Sequence, residues 1–293
     1  MEEKQNNLII LATYWNEKYW IESSLAQIEE LNPVEVIICD GCFDPKFINF
    51  STDGTRQIIE KFVNSHPNAR IVSALRPGYL KSLWMLLRGH RHLPWWTVFR
   101  PVRWKFLLKS IITSSYRRNQ AITFNYMIGL SKKWQENWWF MSYDADQFYS
   151  EEMIKKIKKV VAGTDSKFGL VVGREITFFE NFDKCTELYE RRIYNNMPHK
   201  IYKDTLIQPT RSIIGETRSG RTPIFKNIWA KHLYIYWAKL INSGIYFHYK
   251  FNSPGRFEAG YLLGDRKKPA GERQKTKEFN GEHPKSIRNY FNI

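Results

Sequence analysis

Three short apolar runs at the start of the chain constrain its fold most strongly. "NLIILATYW" (7–15), "PVEVIICDG" (33–41) and "ARIVSA" (69–74) are each the length of a strand, rich in β-branched and aromatic residues, and bounded by polar residues or turn formers. Between them lie "NEKYWIESSLAQIEEL" (16–31) and "STDGTRQIIEKFVNS" (51–65), which carry apolar residues at helical spacing. Asn16 is the expected cap of the first helix, and Ser51 or Thr52 that of the second. A β-α-β-α-β opening predicts a mostly parallel sheet flanked by helices. The pattern resumes with a helix over 118–134, a strand in "NWWFMSYDAD" (137–146), a helix over 150–163 started by Ser150, and a strand over 168–179. Beyond residue 180 only a strand near 244–251 stands out, and the polar, basic tail 265–293 is expected to wrap or fray.

In open parallel sheets, ligands bind beyond the carboxyl ends of the strands. The acids Asp144 and Asp146 fall there, two residues apart, so in an extended segment they share one side. Two such carboxylates repel unless a cation lies between them. Mg²⁺ or Mn²⁺ suits oxygen ligands and could bridge a diphosphate leaving group. Cys39-x-x-Cys42 has no partner pair for a zinc site, and with Cys185 it reads as reduced thiols of a cytoplasmic protein. The polar start "MEEKQNN" does not read as a secretory signal, and no apolar run approaches the roughly 18–20 residues of a membrane span.

The ordered set "ATYWNEKYWIESSL", "VIICDGCFD" with "STDGT", "RNQAI" and "WWFMSYDADQF" resembles the family 2 glycosyltransferases, which move a sugar from a nucleotide-diphospho-sugar to a hydroxyl. The resemblance spans about residues 7–160. It implies the GT-A fold: a Rossmann-like, mostly parallel mixed sheet flanked by helices, here over 1–250, with a basic aromatic insert at 76–118 and a C-terminal basic extension at 251–293. It implies that Thr13, Tyr14, Glu17, Asp40 and Asp53 line the nucleotide pocket, that Arg118 faces the phosphates, and that Asp144 and Asp146 meet ribose and metal, with His248 a candidate to complete the metal shell. The family's acidic-glycine motif is split here by "CFDPKFINF". Inverting members need a base that deprotonates the acceptor, for which Glu216, Glu175 and Glu258 are the candidates.

The insert bears on the acceptor. It holds ten Lys/Arg, no acid and four tryptophans, in a chain with a formal net charge of +16. Arg88, Arg91, Arg100, Arg103 and Lys105 could meet phosphates while Trp95, Trp96 and Trp104 stack on a flipped base, which points to a hydroxymethylated pyrimidine in DNA. The alternative is a glycan or lipid-linked acceptor at an anionic membrane, met peripherally on its inner face by the same residues. A non-catalytic nucleic-acid-binding module on a transferase fold is a third reading, against which the Asp144/Asp146 pair and Asp40 argue.

Overall fold

The computed structural model describes residues 8–78, 80–81, 84, 115–131, 138–162, 170–179, 182–196, 221–223, 237–239, 241–251 and 277–293. The expected opening is present: β1 (Leu8–Tyr14), α1 (Ile21–Leu31), β2 (Glu35–Asp40), α2 (Thr55–Ser65) and β3 (Ala69–Ser73). They are followed by α3 (Ser115–Leu130), β4 (Trp138–Asp144), β5 (Gln147–Tyr149), α4 (Glu151–Val161) and β6 (Leu170–Phe179). Then come β7 (Lys184–Asn196), β8 (Arg221–Pro223), β9 (Trp237–Lys239), β10 (Ile241–Phe251), β11 (Lys277–Glu278) and α5 (Lys285–Phe291).

The main sheet runs β3-β2-β1-β4-β7-β6-β10-β5, with β11 beside β7, while β8 and β9 pair separately. Its first four strands are parallel, as a β-α-β chain dictates. Beyond β4 the pairing is mixed: β7 is antiparallel to β4 and β6, β6 is parallel to β10, and β5 is antiparallel to β10. The protein is thus an α/β, Rossmann-like fold.

β1 is covered on both faces, which explains its near-continuous apolar run. Leu8, Ile10, Ala12 and Tyr14 join a cluster with α1, α2, α4 and α5, whereas Ile9 and Leu11 pack with Phe124 and Met127 of α3. In α1 the buried residues Ile21, Ser24, Leu25, Ile28 and Leu31 form one stripe, and Asn32, at a left-handed φ of 49°, ends the helix ahead of Pro33.

Three expectations change in detail. Asn16 does not cap α1: it has φ 53° and lies five residues before the helix, where its Oδ1 accepts from the Thr52 N–H at 2.8 Å. Neither Ser51 nor Thr52 caps α2; Asp53 Oδ1 accepts from the Thr55 N–H at 3.0 Å instead. Asp144 and Asp146 do not share an extended strand, because β4 ends at Asp144 and the chain turns at Ala145-Asp146. Of the two outcomes expected for the tail, residues 277–293 show wrapping and not fraying. β11 pairs with β7, Phe279 packs edge-on to Phe178, and the buried Ile287 and the ring of Phe291 dock on the α1 side, where Phe291 meets Trp20 at 5.0 Å. Ser150 behaves as expected, its Oγ accepting from the Met153 N–H at 3.2 Å in the first turn of α4.

Candidate functional site

Strand order places the site. From β1 the chain lays β2 and β3 to one side and β4 to the other, so the crevice at the carboxyl ends of β1 and β4 is the switch point where ligands bind such sheets. Thr13 and Asp144 are register partners there, and the Thr13 hydroxyl donates to Asp144 Oδ1 at 3.1 Å. The Gln147 amide donates to Asp144 Oδ2 at 3.1 Å. Both oxygens are thereby aimed, and the residue stays partly open to solvent.

Asp146 is 4% exposed and faces His248, with Oδ1 and Nε2 3.5 Å apart. Three tethers fix this turn. The Tyr249 N–H donates to the Asp146 carbonyl at 2.8 Å, β5 pairs with β10 so that Gln147 stands opposite His248, and the side chain of Gln27 grips the backbone of Tyr149. Gln27 is buried in α1, yet its Nε2 donates to the Tyr149 carbonyl at 3.0 Å and its Oε1 accepts from the Tyr149 N–H at 2.7 Å and the Tyr143 hydroxyl at 3.0 Å. It acts as a strand partner for β5 while holding the residue before Asp144.

The donor set suits a hard divalent cation. Adjacent ligands on an octahedral ion with bonds of 2.0–2.1 Å lie roughly 3 Å apart. The 3.5 Å gap from Asp146 to His248 is long for a hydrogen bond and close to that spacing. Gln147 Oε1 adds a buried oxygen acceptor that has no hydrogen-bond partner, on the side chain that already holds Asp144. Among the described residues no three His, Cys, Asp or Glu side chains form a ready-made metal cluster. An ion here would thus draw part of its shell from substrate oxygens, as Mg²⁺ commonly does.

Across β1 the acid at the end of β2 is in a different state. Asp40 is fully buried; its Oδ1 accepts from the Ser51 hydroxyl at 2.5 Å and its Oδ2 meets Arg56 at 3.4 Å. A nucleotide reaching this carboxylate would have to displace one of them. Asp53 is similarly engaged, Oδ1 by the Thr55 N–H and Oδ2 by the Lys18 N–H at 2.9 Å. With Asn16–Thr52 and Glu17–Thr55, "STDGT" staples the turn after β1 to the start of α2. Tyr14 points away into the core, where its hydroxyl meets Ser24 at 2.9 Å and burial pushes its phenol well above the ordinary range. Glu17 is buried at the turn into α1. Cys39, Cys42 and Cys185 are buried and not in disulfides, and burial pushes the Cys39 and Cys42 thiols up, which makes them inert.

The residues that split the acidic-glycine motif form a fastened loop. Gly41 approaches its neighbours so closely that a Cβ would stand 2.7 Å from both Ala74 Cβ and the Asn49 carbonyl. The Arg76 guanidinium donates to the carbonyls of Cys42 and Phe47 at 2.6 Å and Ile48 at 3.3 Å, and Asn119 of α3 donates to the Phe43 carbonyl at 2.8 Å. Arg118 precedes Asn119 near the start of α3. Glu175 stands on β6 opposite Tyr246 of β10, two residues before Thr177, the register partner of His248. Glu216, Glu258 and the acceptor-side candidates Arg88, Arg91, Trp95, Trp96, Arg100, Arg103, Trp104 and Lys105 lie outside the described residues.

Sequence reasoning missed Gln27, Gln147, Arg76 and Asn119. Gln27 did leave a signal: it is a polar residue within the apolar stripe of an amphipathic helix.

No family model matches the chain, and no curated protein does. Among solved structures it is similar to the crystal structure of S. aureus TarS, at 14% identity and a TM-score of 0.32. That likeness covers 58% of this chain and 22% of TarS, so the chain spans about a fifth of the length of that protein. A likeness at this level decides neither fold nor activity.

Proposed function

We propose that the protein is a metal-assisted, inverting glycosyltransferase that takes a sugar from a nucleotide-diphospho-sugar and passes it to a hydroxyl. The observation that carries this reading is the pair Asp144 and Asp146 at the carboxyl end of β4, beside the switch point, with Asp146 facing His248 of β10 at 3.5 Å. Mg²⁺ or Mn²⁺ bound there supplies positive charge to a diphosphate leaving group.

The chain's own residues prepare the place for it. Thr13 and Gln147 fix the Asp144 carboxylate, so its oxygens need no reorganisation when the donor arrives. Gln27 and β10 hold the turn that carries Asp146, and burial in this site strengthens its attraction for a cation. Of the three base candidates, Glu175 is the one whose backbone position is described, on the strand that pairs with His248's own strand.

The test is thermal stabilisation by a panel of nucleotide-diphospho-sugars with Mn²⁺. A donor at about a hundred times its Kd adds about 2.7 kcal/mol, a shift of several degrees. The expected result is a selective shift that needs the metal and vanishes in Asp146→Asn. No shift with any donor, or an equal shift in Asp146→Asn, overturns the proposal.

A further inference from the structure

Four of the seven large apolar side chains exposed among the described residues follow β2 and β3, at one end of the sheet; Tyr126, Tyr290 and Ile293 lie elsewhere. Ile48 and Phe50 stand on the fastened loop after β2, at 57% and 59% exposure, and Leu80 and Trp84 follow β3, at 86% and 56%. Arg76 brings these segments together, because its guanidinium is bonded to the Ile48 carbonyl four residues before Leu80. Four residues reach at most about 14 Å, so the backbone of Leu80 stays at the same end of the sheet as Ile48 and Phe50, and the exposed apolar side chains at that end form the proposed patch. A loop that merely tolerated apolar side chains would let them fold inward. This one is held by carbonyl bonds from Arg76, by Asn119 and by the Asn49 amide on the Ala74 carbonyl at 2.9 Å, so its tips are kept outward.

We propose that this patch docks on an anionic bilayer surface. Apolar tips flanked by exposed Lys46 and Lys81, in a chain of net charge +16, match an interface with hydrocarbon beneath and negative headgroups above. The sequence from 76 to 118, which begins at this patch, has ten Lys/Arg and no acid. No described helix is long and apolar enough to cross a membrane. DNA fits the patch less well. Duplex affinity comes from cations on phosphates, and of the described cations here Arg76 is spent on loop carbonyls, while Ile48, Phe50 and Leu80 offer nothing to phosphate.

The patch lies at the carboxyl ends of β2 and β3, the same edge as Thr13 and Asp144. Docking therefore turns the candidate site toward the membrane, and the acceptor is a hydroxyl borne on a lipid or anchored at its surface. This last step rests on the transferase reading; the docking itself does not.

Flotation of the full chain with vesicles decides it. Binding is expected to vesicles of phosphatidylcholine mixed with phosphatidylglycerol and to be much weaker to phosphatidylcholine alone. The double variants Ile48→Ser with Phe50→Ser, and Leu80→Ser with Trp84→Ser, each shown to melt like the parent, should weaken binding by roughly ten-fold. The absence of vesicle binding by the parent chain overturns the proposal. So does undiminished binding by both double variants, or preference for a DNA duplex over the vesicles with a steep salt dependence. Metal-dependent stabilisation by a nucleotide sugar should persist in both variants. Its absence from the parent chain would strike the transferase reading and leave the docking result standing.

Discussion

Asp40 and Asp144 end the two strands that flank β1, at the same edge of the sheet, but their surroundings differ. Asp40 is wholly buried and spends its oxygens on Ser51, before α2, and Arg56, in its first turn. Asp144 is partly open, is aimed by two neutral donors, and has the second acid Asp146 two residues on, facing an imidazole. A carboxylate compensated by a guanidinium has little attraction left for a cation, whereas a hydroxyl and an amide orient a carboxylate without bringing a compensating charge. Acids in equivalent positions can thus be a latch and a binding group.

The largest expected effect probes the open side. Asp144→Asn keeps the size and one acceptor of the side chain but removes its charge. If transfer or hydrolysis of the donor uses that charge, turnover should fall about 10²–10³-fold, with a melting temperature close to the parent's. Equal turnover in Asp144→Asn would erase the distinction between the two acids.

Asp40→Ala probes the closed side and should do the reverse. It removes the acceptor for the Ser51 hydroxyl and the partner of Arg56, which can turn to water because it is a third exposed. Loss of charge-assisted bonds of this kind costs about 2–3 kcal/mol, read by chemical denaturation. Should Asp40→Ala instead leave stability intact and abolish donor binding, Asp40 would be a ligand residue and the contrast would fail.

The same contrast marks what the sequence could reveal. The placement of Asp144, Asp146 and His248 on or beside strands was legible because each ends or adjoins an apolar run with period or length enough to place it. The first three strands were legible for the same reason. The latch roles of Asp40 and Asp53 were not, because a carboxylate after a strand reads alike whether Arg56 reaches back to it or not. β7 escaped notice because "KCTELYERRIYNN" is charged and without a clean period; pairing with β4 and β6 makes it a strand. The tail escaped because Phe279, Ile287 and Phe291 are isolated apolar residues in a polar stretch. A seven-residue helix such as α5 has no stability of its own and forms through packing on α1.

The smallest effect tests how that tail supports the open side. His283 packs among Phe178, Phe182, Phe247 and Phe279, and its Nδ1 meets the Tyr249 hydroxyl at 2.7 Å. Tyr249 follows His248 and its N–H holds the Asp146 carbonyl, so the tail reaches the site through one strand. Burial lowers the His283 pKa, against a smaller opposing pull from Asp183, and burial raises that of Tyr249, which therefore remains a phenol able to donate. A histidine whose folded pKa lies below its unfolded value of about 6.5 takes up protons more readily when unfolded. Its contribution is fully present above that value and is lost as the pH falls through the folded pKa. The melting temperature should therefore drop on acidification below about pH 6.5, and His283→Gln should flatten that drop. In the tautomer whose Nδ1 accepts from Tyr249, protonation also removes that lone pair, so the shape of the pH curve, more than its height at neutral pH, reports this contact. An unchanged slope in His283→Gln would mean that the tail packs on the core without acting on β10.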